Sequence, residues 1–237
     1  MNDSDRVVSK DSIEILSNKP DSPKSFLEIY ELGSLCQSKR QYQKALVYAK
    51  QGLQLSTELS NQNHKVMAQV SIGCIYWEMS QLKKAMKFFQ EALSASEQLE
   101  DKETQGMLHA IMGLSCWRQG DWSMAINLFE KALQYFPNSE IKKEVLVSSG
   151  SVEVKCLMTV MRRGIETLKN RIEIAKTQQN PERILLPSFA MIPLVFFAGE
   201  KESIPNLLES IIPLAQQLNN KNMLDCIPRL KKIMGVN

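Results

Sequence analysis

Residues 30–53 read YELGSLCQSKRQYQKALVYAKQGL, residues 70–93 read VSIGCIYWEMSQLKKAMKFFQEAL, and residues 110–133 read AIMGLSCWRQGDWSMAINLFEKAL. Three positions recur at a spacing of 40: Gly33, Gly73 and Gly113; Ala45, Ala85 and Ala125; Leu53, Leu93 and Leu133. A fixed period of that length is the mark of a repeat architecture. Each unit reads as two helices. The first holds the glycine and ends in a short polar break, such as Met79-Ser80-Gln81. The second carries apolar residues at i, i+3, i+4 and i+7, as in Ala125, Leu128, Phe129 and Ala132. A glycine inside a helix costs ~1 kcal/mol against alanine, so its recurrence points to a close approach of two backbones, with the alanine twelve residues later facing it. Helix pairs that cannot bury their own apolar faces stack on one another, and the expected fold is an all-α solenoid.

These units resemble the tetratricopeptide repeat family. The third unit carries Met112-Gly113, Cys116, Ala125, Phe129, Ala132 and Pro137, and the second Ile72-Gly73, Tyr76, Ala85, Phe89 and Ala92. The first, with Leu32-Gly33, Cys36, Ala45 and Ala49, is the most divergent. Ile29, Gln69 and His109 stand where the family places an early tryptophan, and the unit is longer than the usual ~34 residues. The resemblance spans residues 26–137 and implies that the solenoid is right-handed. Degenerate helix pairs are expected over 138–219: Glu140–Val160 with Gly164–Thr177, then Pro181–Ala198 with Glu202–Leu218. A capping helix is expected at Lys221–Met234, about five pairs and a cap in all within a domain from 25 to 237. Prolines 187, 193, 205, 213 and 228 should kink or break these helices. Residues 1–24, with Pro20 and Pro23, read as a flexible tail.

The 237 residues are 43% hydrophobic and 23% charged, ordinary globular composition, and a net charge of +3 announces neither nucleic acid nor a membrane surface. The charge is uneven: residues 141–237 carry 14 Lys/Arg against 9 Asp/Glu, through clusters such as Arg162-Arg163 and Lys231-Lys232. Five cysteines without a CxxC pair read as free thiols in a reducing compartment. The acidic, polar N-terminus has no signal-peptide core, and the apolar run Leu185–Ala198 is broken by two prolines and too short to span a bilayer. A cytoplasmic protein is the expectation. Two histidines forty-five residues apart give no metal-ligand cluster, and no GxSxG, P-loop, GxGxxG or HExxH motif occurs. No enzyme activity, cofactor or metal is expected.

The resemblance implies that the first helix of each pair lines a concave groove that takes a partner segment. Mapped from the glycines, the groove residues of the first unit are Tyr30, Ser34 and Gln37. The second unit supplies Met67, Val70, Ser71, Cys74 and Trp77, and the third Met107, Ala110, Ile111, Leu114, Trp117 and Arg118. The Lys/Asn/Arg set that grips acidic chaperone tails in this family is not made by these residues. The expected function is a protein-interaction adaptor that captures an apolar or amphipathic segment of another protein, one with an acidic flank that the basic stretch 141–237 would steer. RNA binding through that basic part, or a structural role in a larger assembly, are the competing readings. RNA binding would weaken steeply with salt.

Overall fold

The computed structural model describes residues 25–136 and 151–236; the expected flexible tail and the start of the expected fourth pair lie outside them. Among the described residues there are ten α-helices and no strand. The first six are α1 (Phe26–Ser38), α2 (Tyr42–Glu58), α3 (Gln62–Glu78), α4 (Leu82–Gln98), α5 (Lys102–Arg118) and α6 (Trp122–Gln134). The last four are α7 (Val152–Thr177), α8 (Pro181–Phe197), α9 (Ile204–Gln217) and α10 (Lys221–Met234), with a short 3₁₀ turn at Lys201–Ser203 before α9.

The 40-residue period has a local cause. N-caps fall at Gln41, Asn61, Gln81, Asp101 and Asp121, 20 residues apart, and α2 to α5 are each 17 residues long. Asn61, Asp101 and Asp121 cap by accepting from the backbone N–H three residues on. At the other end each helix stops on a left-handed residue: Arg40, Ser60, Ser80, Glu100 and Gly120 have φ between 50° and 82°. Only the last of these is a glycine, so four junctions carry side-chain strain that glycine would relieve. Ser60→Gly and Glu100→Gly, both at exposed positions, are therefore expected to stabilise the chain by roughly 0.5–1 kcal/mol each. Chemical denaturation with an unchanged m-value checks this.

The repeats pack as helix pairs α1–α2, α3–α4 and α5–α6, joined by contacts of α2 with α3 and of α4 with α5. Beyond them the structure departs from the expected stacking. The expected fourth pair is, over its described part, one 26-residue helix that runs straight through Gly164. This helix, α7, packs on α3 and, less extensively, on α5, the first helices of the second and third pairs, and on its other side against α8. Its N-cap Ser151 lies 3.3 Å from Thr104 Oγ1 at the start of α5, while its middle bears Arg163, paired with Glu78 at the end of α3. It thus advances in the same sense as α3 and α5 along their shared concave side.

Four of the five later prolines do not break the helices: α8 runs through Pro187 and Pro193, α9 through Pro213 and α10 through Pro228, while Pro205 stands in the first turn of α9. For Pro193 the compensation is visible. A proline lacks the N–H that would bond the carbonyl four residues earlier, here that of Phe189. Trp117 Nε1 donates to that carbonyl at 3.3 Å. The last helix is tied back to the repeats through Arg229, whose Nη2 donates to Asn127 and to Glu130 on α6. One apolar core runs from Cys36 to Met234.

Docking of α7 buries a carboxyl group. Burial holds Glu153 above the ordinary carboxylate value of 4.5; Asp101 adds to this, and its own backbone N–H and Ser151 oppose it. A carboxyl whose folded-state pKa is raised favours folding when protonated. Its contribution is full below the unfolded value and lost as pH climbs through the folded one. Glu153→Gln is therefore expected to raise Tm at pH 7 and to give no gain at pH 4. Thermal melts of the two proteins at both pH values test the sign.

Candidate functional site

The groove residues expected from the repeat pattern do lie together on α1, α3 and α5, but they do not face solvent. Met67, Val70, Ser71, Cys74, Trp77, Met107, Ala110, Ile111, Leu114 and Trp117 are all buried, as is Gln37; Tyr30 is half-buried, and Ser34 and Arg118 are exposed. The expectation of an open apolar groove is corrected on this point, and the physical reason is α7 together with α8, while Met67 packs with Phe26 of α1. The α7 side chains Val154, Leu157, Met158, Val160, Met161 and Ile165 are buried in the interior shared with α3, α5 and α8. The concave side does hold an amphipathic helix, and that helix belongs to the chain itself.

The two tryptophans show how the closure is made. Trp117, 3% exposed, sits with its ring 4.7 Å from Phe189 of α8 and 6.0 Å from Phe129. Trp77, also 3% exposed, faces Gly164: a Cβ at 164 would stand 3.2 Å from Trp77 Cη2, so a side chain there would push the indole aside by a few tenths of an ångström. The indole Nε1 of Trp77 is buried and has no hydrogen-bond partner among the described residues. Gln37 reaches across from α1, its Nε2 donating to Glu78 Oε2 at 2.6 Å. Arg163 of α7 meets the same carboxylate at 2.9 Å. Glu78 therefore ties α1 and α7 to α3. In the upper part of the groove a cavity of about 20 Å³, room for one water, remains between Tyr30, Ser71 and Cys156.

The closure is incomplete at the end where the first helices terminate. A cleft of about 200 Å³ opens there. Its floor and walls are Trp77, Gly164, Leu168, Ala190 and Leu194, and its rim carries Arg40, Arg118, Arg163 and Arg171 with one carboxylate, Glu78, and with Tyr42, Ser80 and Thr167. Arg118 stacks on Trp77, with its guanidinium carbon 4.4 Å from the ring centre, and donates to Trp77 O at 3.4 Å and Ser80 Oγ at 3.1 Å. Burial of part of this side chain, and then the like charge of Arg171, draw its pKa below the ordinary value. Arg171 also borders a shallower apolar groove of about 450 Å³ between the end of α7 and the start of α8, where Ile174 and Leu186 are exposed.

Of the residues expected to bind a partner, Trp77 and Arg118 line this cleft. Arg40, Arg163 and Arg171 were not expected there. Arg163 belongs to a basic cluster visible in the sequence, but only the return of α7 to the second repeat brings it beside Glu78. Among the described residues no group of three His, Cys, Asp or Glu side chains could hold a metal ion, and no helix is long and apolar enough to cross a membrane.

Comparison with known proteins agrees with the repeat reading. Residues 25–98 and, separately, 107–139 match descriptions of the tetratricopeptide repeat. No curated protein matches the chain in sequence. Among solved structures, the Rap conjugation gene regulator of the plasmid pLS20, in complex with the Phr* peptide, is similar over 96% of this chain and 70% of its own, with a TM-score of 0.50 at 11% identity. At that identity the likeness concerns the fold, an all-α helical-repeat solenoid.

Proposed function

We propose that this tetratricopeptide-repeat chain is a non-enzymatic adaptor that binds a segment of another protein at the mouth of its concave face, in the cleft between α3, α5, α7 and α8. The observation that carries the reading is the cleft itself: an apolar floor made by Trp77, Leu168 and Leu194 beneath a rim of arginines. A few placed polar groups around an apolar depression is the arrangement of a recognition site. The similar Rap regulator is described with a peptide bound, and a peptide is the class of occupant this opening fits.

Capture deeper in the groove would require a partner to expel α7. Six buried apolar side chains at ~1.5–3 kcal/mol each place that cost on the order of 10 kcal/mol. A tethered helix also competes at an effective concentration of about millimolar. In this reading the apolar residues of α3 and α5 hold α7, and α7 in turn completes the binding mouth.

A photo-crosslinking side chain placed at Thr167, on the cleft rim, or at Leu59, exposed in the turn after α2, tests the location. Partner proteins in native lysate should crosslink from position 167 and not from 59, and Leu168→Glu, at a half-buried position of the cleft, should abolish the product while leaving Tm near the parent value. Crosslinks from 59 alone would place the interaction elsewhere.

A further inference from the structure

Three of the four guanidiniums on the cleft rim have no carboxylate within ion-pair distance among the described residues. Arg163 is matched by Glu78, while Arg40, Arg118 and Arg171 are not. Arg118 and Arg171 line the same cleft, and after burial the like charge of Arg171 is what draws the Arg118 pKa down. Crowded like charges beside an apolar floor are stabilised by an anion. Arginine's fork of N–H donors suits a carboxylate, which it can hold through two parallel hydrogen bonds.

We infer that the cleft recognises an acidic peptide in which a carboxylate stands next to an apolar side chain. The apolar side chain enters over Trp77, Leu168 and Leu194, and the carboxylate is held by Arg118 and Arg171, with Arg40 at the outer edge. The inference rests on the protein-interaction reading above and adds the chemistry of the segment. Two of these arginines come from outside the first helices of the repeats. Arg171 is carried in by α7, and Arg40 stands in the turn after α1 with a left-handed backbone, φ 58°, at an exposed position. The site is therefore a product of the closure, not of the repeat pattern.

The volume limits the occupant. About 200 Å³ takes one large apolar side chain with the atoms beside it, not a folded domain or a helix. The adjoining groove past Arg171, with Ile174 and Leu186 exposed, offers the next contact along an extended chain.

The test is selection from a random heptapeptide display library on the full chain, with Arg40→Gln, Arg171→Gln and the double variant as counter-targets. Both residues are exposed and without an ion-pair partner among the described residues. The variants should therefore keep the parent Tm. Selected peptides should carry Asp or Glu next to an apolar residue. They should bind the double variant at least tenfold more weakly, and replacing their acids by amides should give the same loss. Peptides that bind without acidic bias, or equally to the double variant, would overturn this inference and leave the interaction module standing. No selected peptide at all would count against both. Inorganic phosphate supplies the remaining arm: millimolar phosphate should compete weakly, and displacement at micromolar phosphate would assign the arginines to a small oxyanion and overturn the peptide.

Discussion

Replacing Gly113 by alanine is expected to cost roughly 2–3 kcal/mol, at the upper end of the usual overpacking range and despite a gain of ~1 kcal/mol in helix propensity. A Cβ at 113 would stand 2.5 Å from Phe129 Cε1 and 3.2 Å from Ala125 O. The Phe129 ring is fully buried, wedged between Trp117 at 6.0 Å and Phe197 at 5.1 Å, so it has nowhere to move. Gly73 repeats the arrangement, with Phe89 Cε1 at 2.5 Å. Gly33 is the internal control. Its nearest neighbour is Tyr48 Cβ at 3.3 Å, because the position sixteen residues on is Ala49 instead of phenylalanine. Gly33→Ala should lie within about 1 kcal/mol of the parent, and the contrast between the three alanine variants is readable in urea. Equal costs at 33 and 113 would mean that the ring on the glycine is not the reason for the repeat.

The second large effect concerns Trp117. As an interior side chain packed on Phe189 and Phe129, its replacement by alanine should cost about 3–5 kcal/mol. The hydrogen bond from its Nε1 to Phe189 O separates packing from polarity. Trp117→Phe keeps much of the apolar contact but leaves the carbonyl freed by Pro193 without a donor. That adds ~1–3 kcal/mol for an unsatisfied buried acceptor. In a Pro193→Ala background the helix supplies its own N–H, and Trp117→Phe should then cost less. Trp77→Phe should also be the milder of the two phenylalanine changes, since the Nε1 of Trp77 has no partner to lose. Denaturation of the four variants and the Trp117/Pro193 double mutant decides the matter.

What was legible in the sequence was whatever repeats. The glycine, alanine and leucine positions specify three helix pairs, and α8, α9 and α10 follow from apolar periodicity. The close approach at Gly73 and Gly113 was also readable, although the tightest neighbour is the aromatic ring sixteen residues on, not the alanine at twelve. The fate of the concave face was not legible. Val70, Cys74, Trp77, Met107 and Trp117 carry an apolar surface that an external peptide and an internal helix satisfy equally well. Choosing between them needs the long-range placement of α7, which no local pattern encodes. Gly164 is the nearest to a signal: a glycine within a long helix, opposite a tryptophan 87 positions earlier. The prolines misled for a related reason. Their cost depends on whether the freed carbonyl finds a donor, and for Pro193 the donor comes from α5.

The central claim is that α7 lies in the concave groove, and the pair Glu78–Arg163 reports on it most directly. The two residues are 85 positions apart and meet at 2.9 Å, with the Glu78 side chain only 7% exposed. A double-mutant cycle of Glu78→Ala and Arg163→Ala, read by urea denaturation, should give a coupling of about 1–2 kcal/mol. If the two changes instead add within ~0.3 kcal/mol, the helix does not occupy the groove, and both the closed face and the cleft at its mouth fall with it.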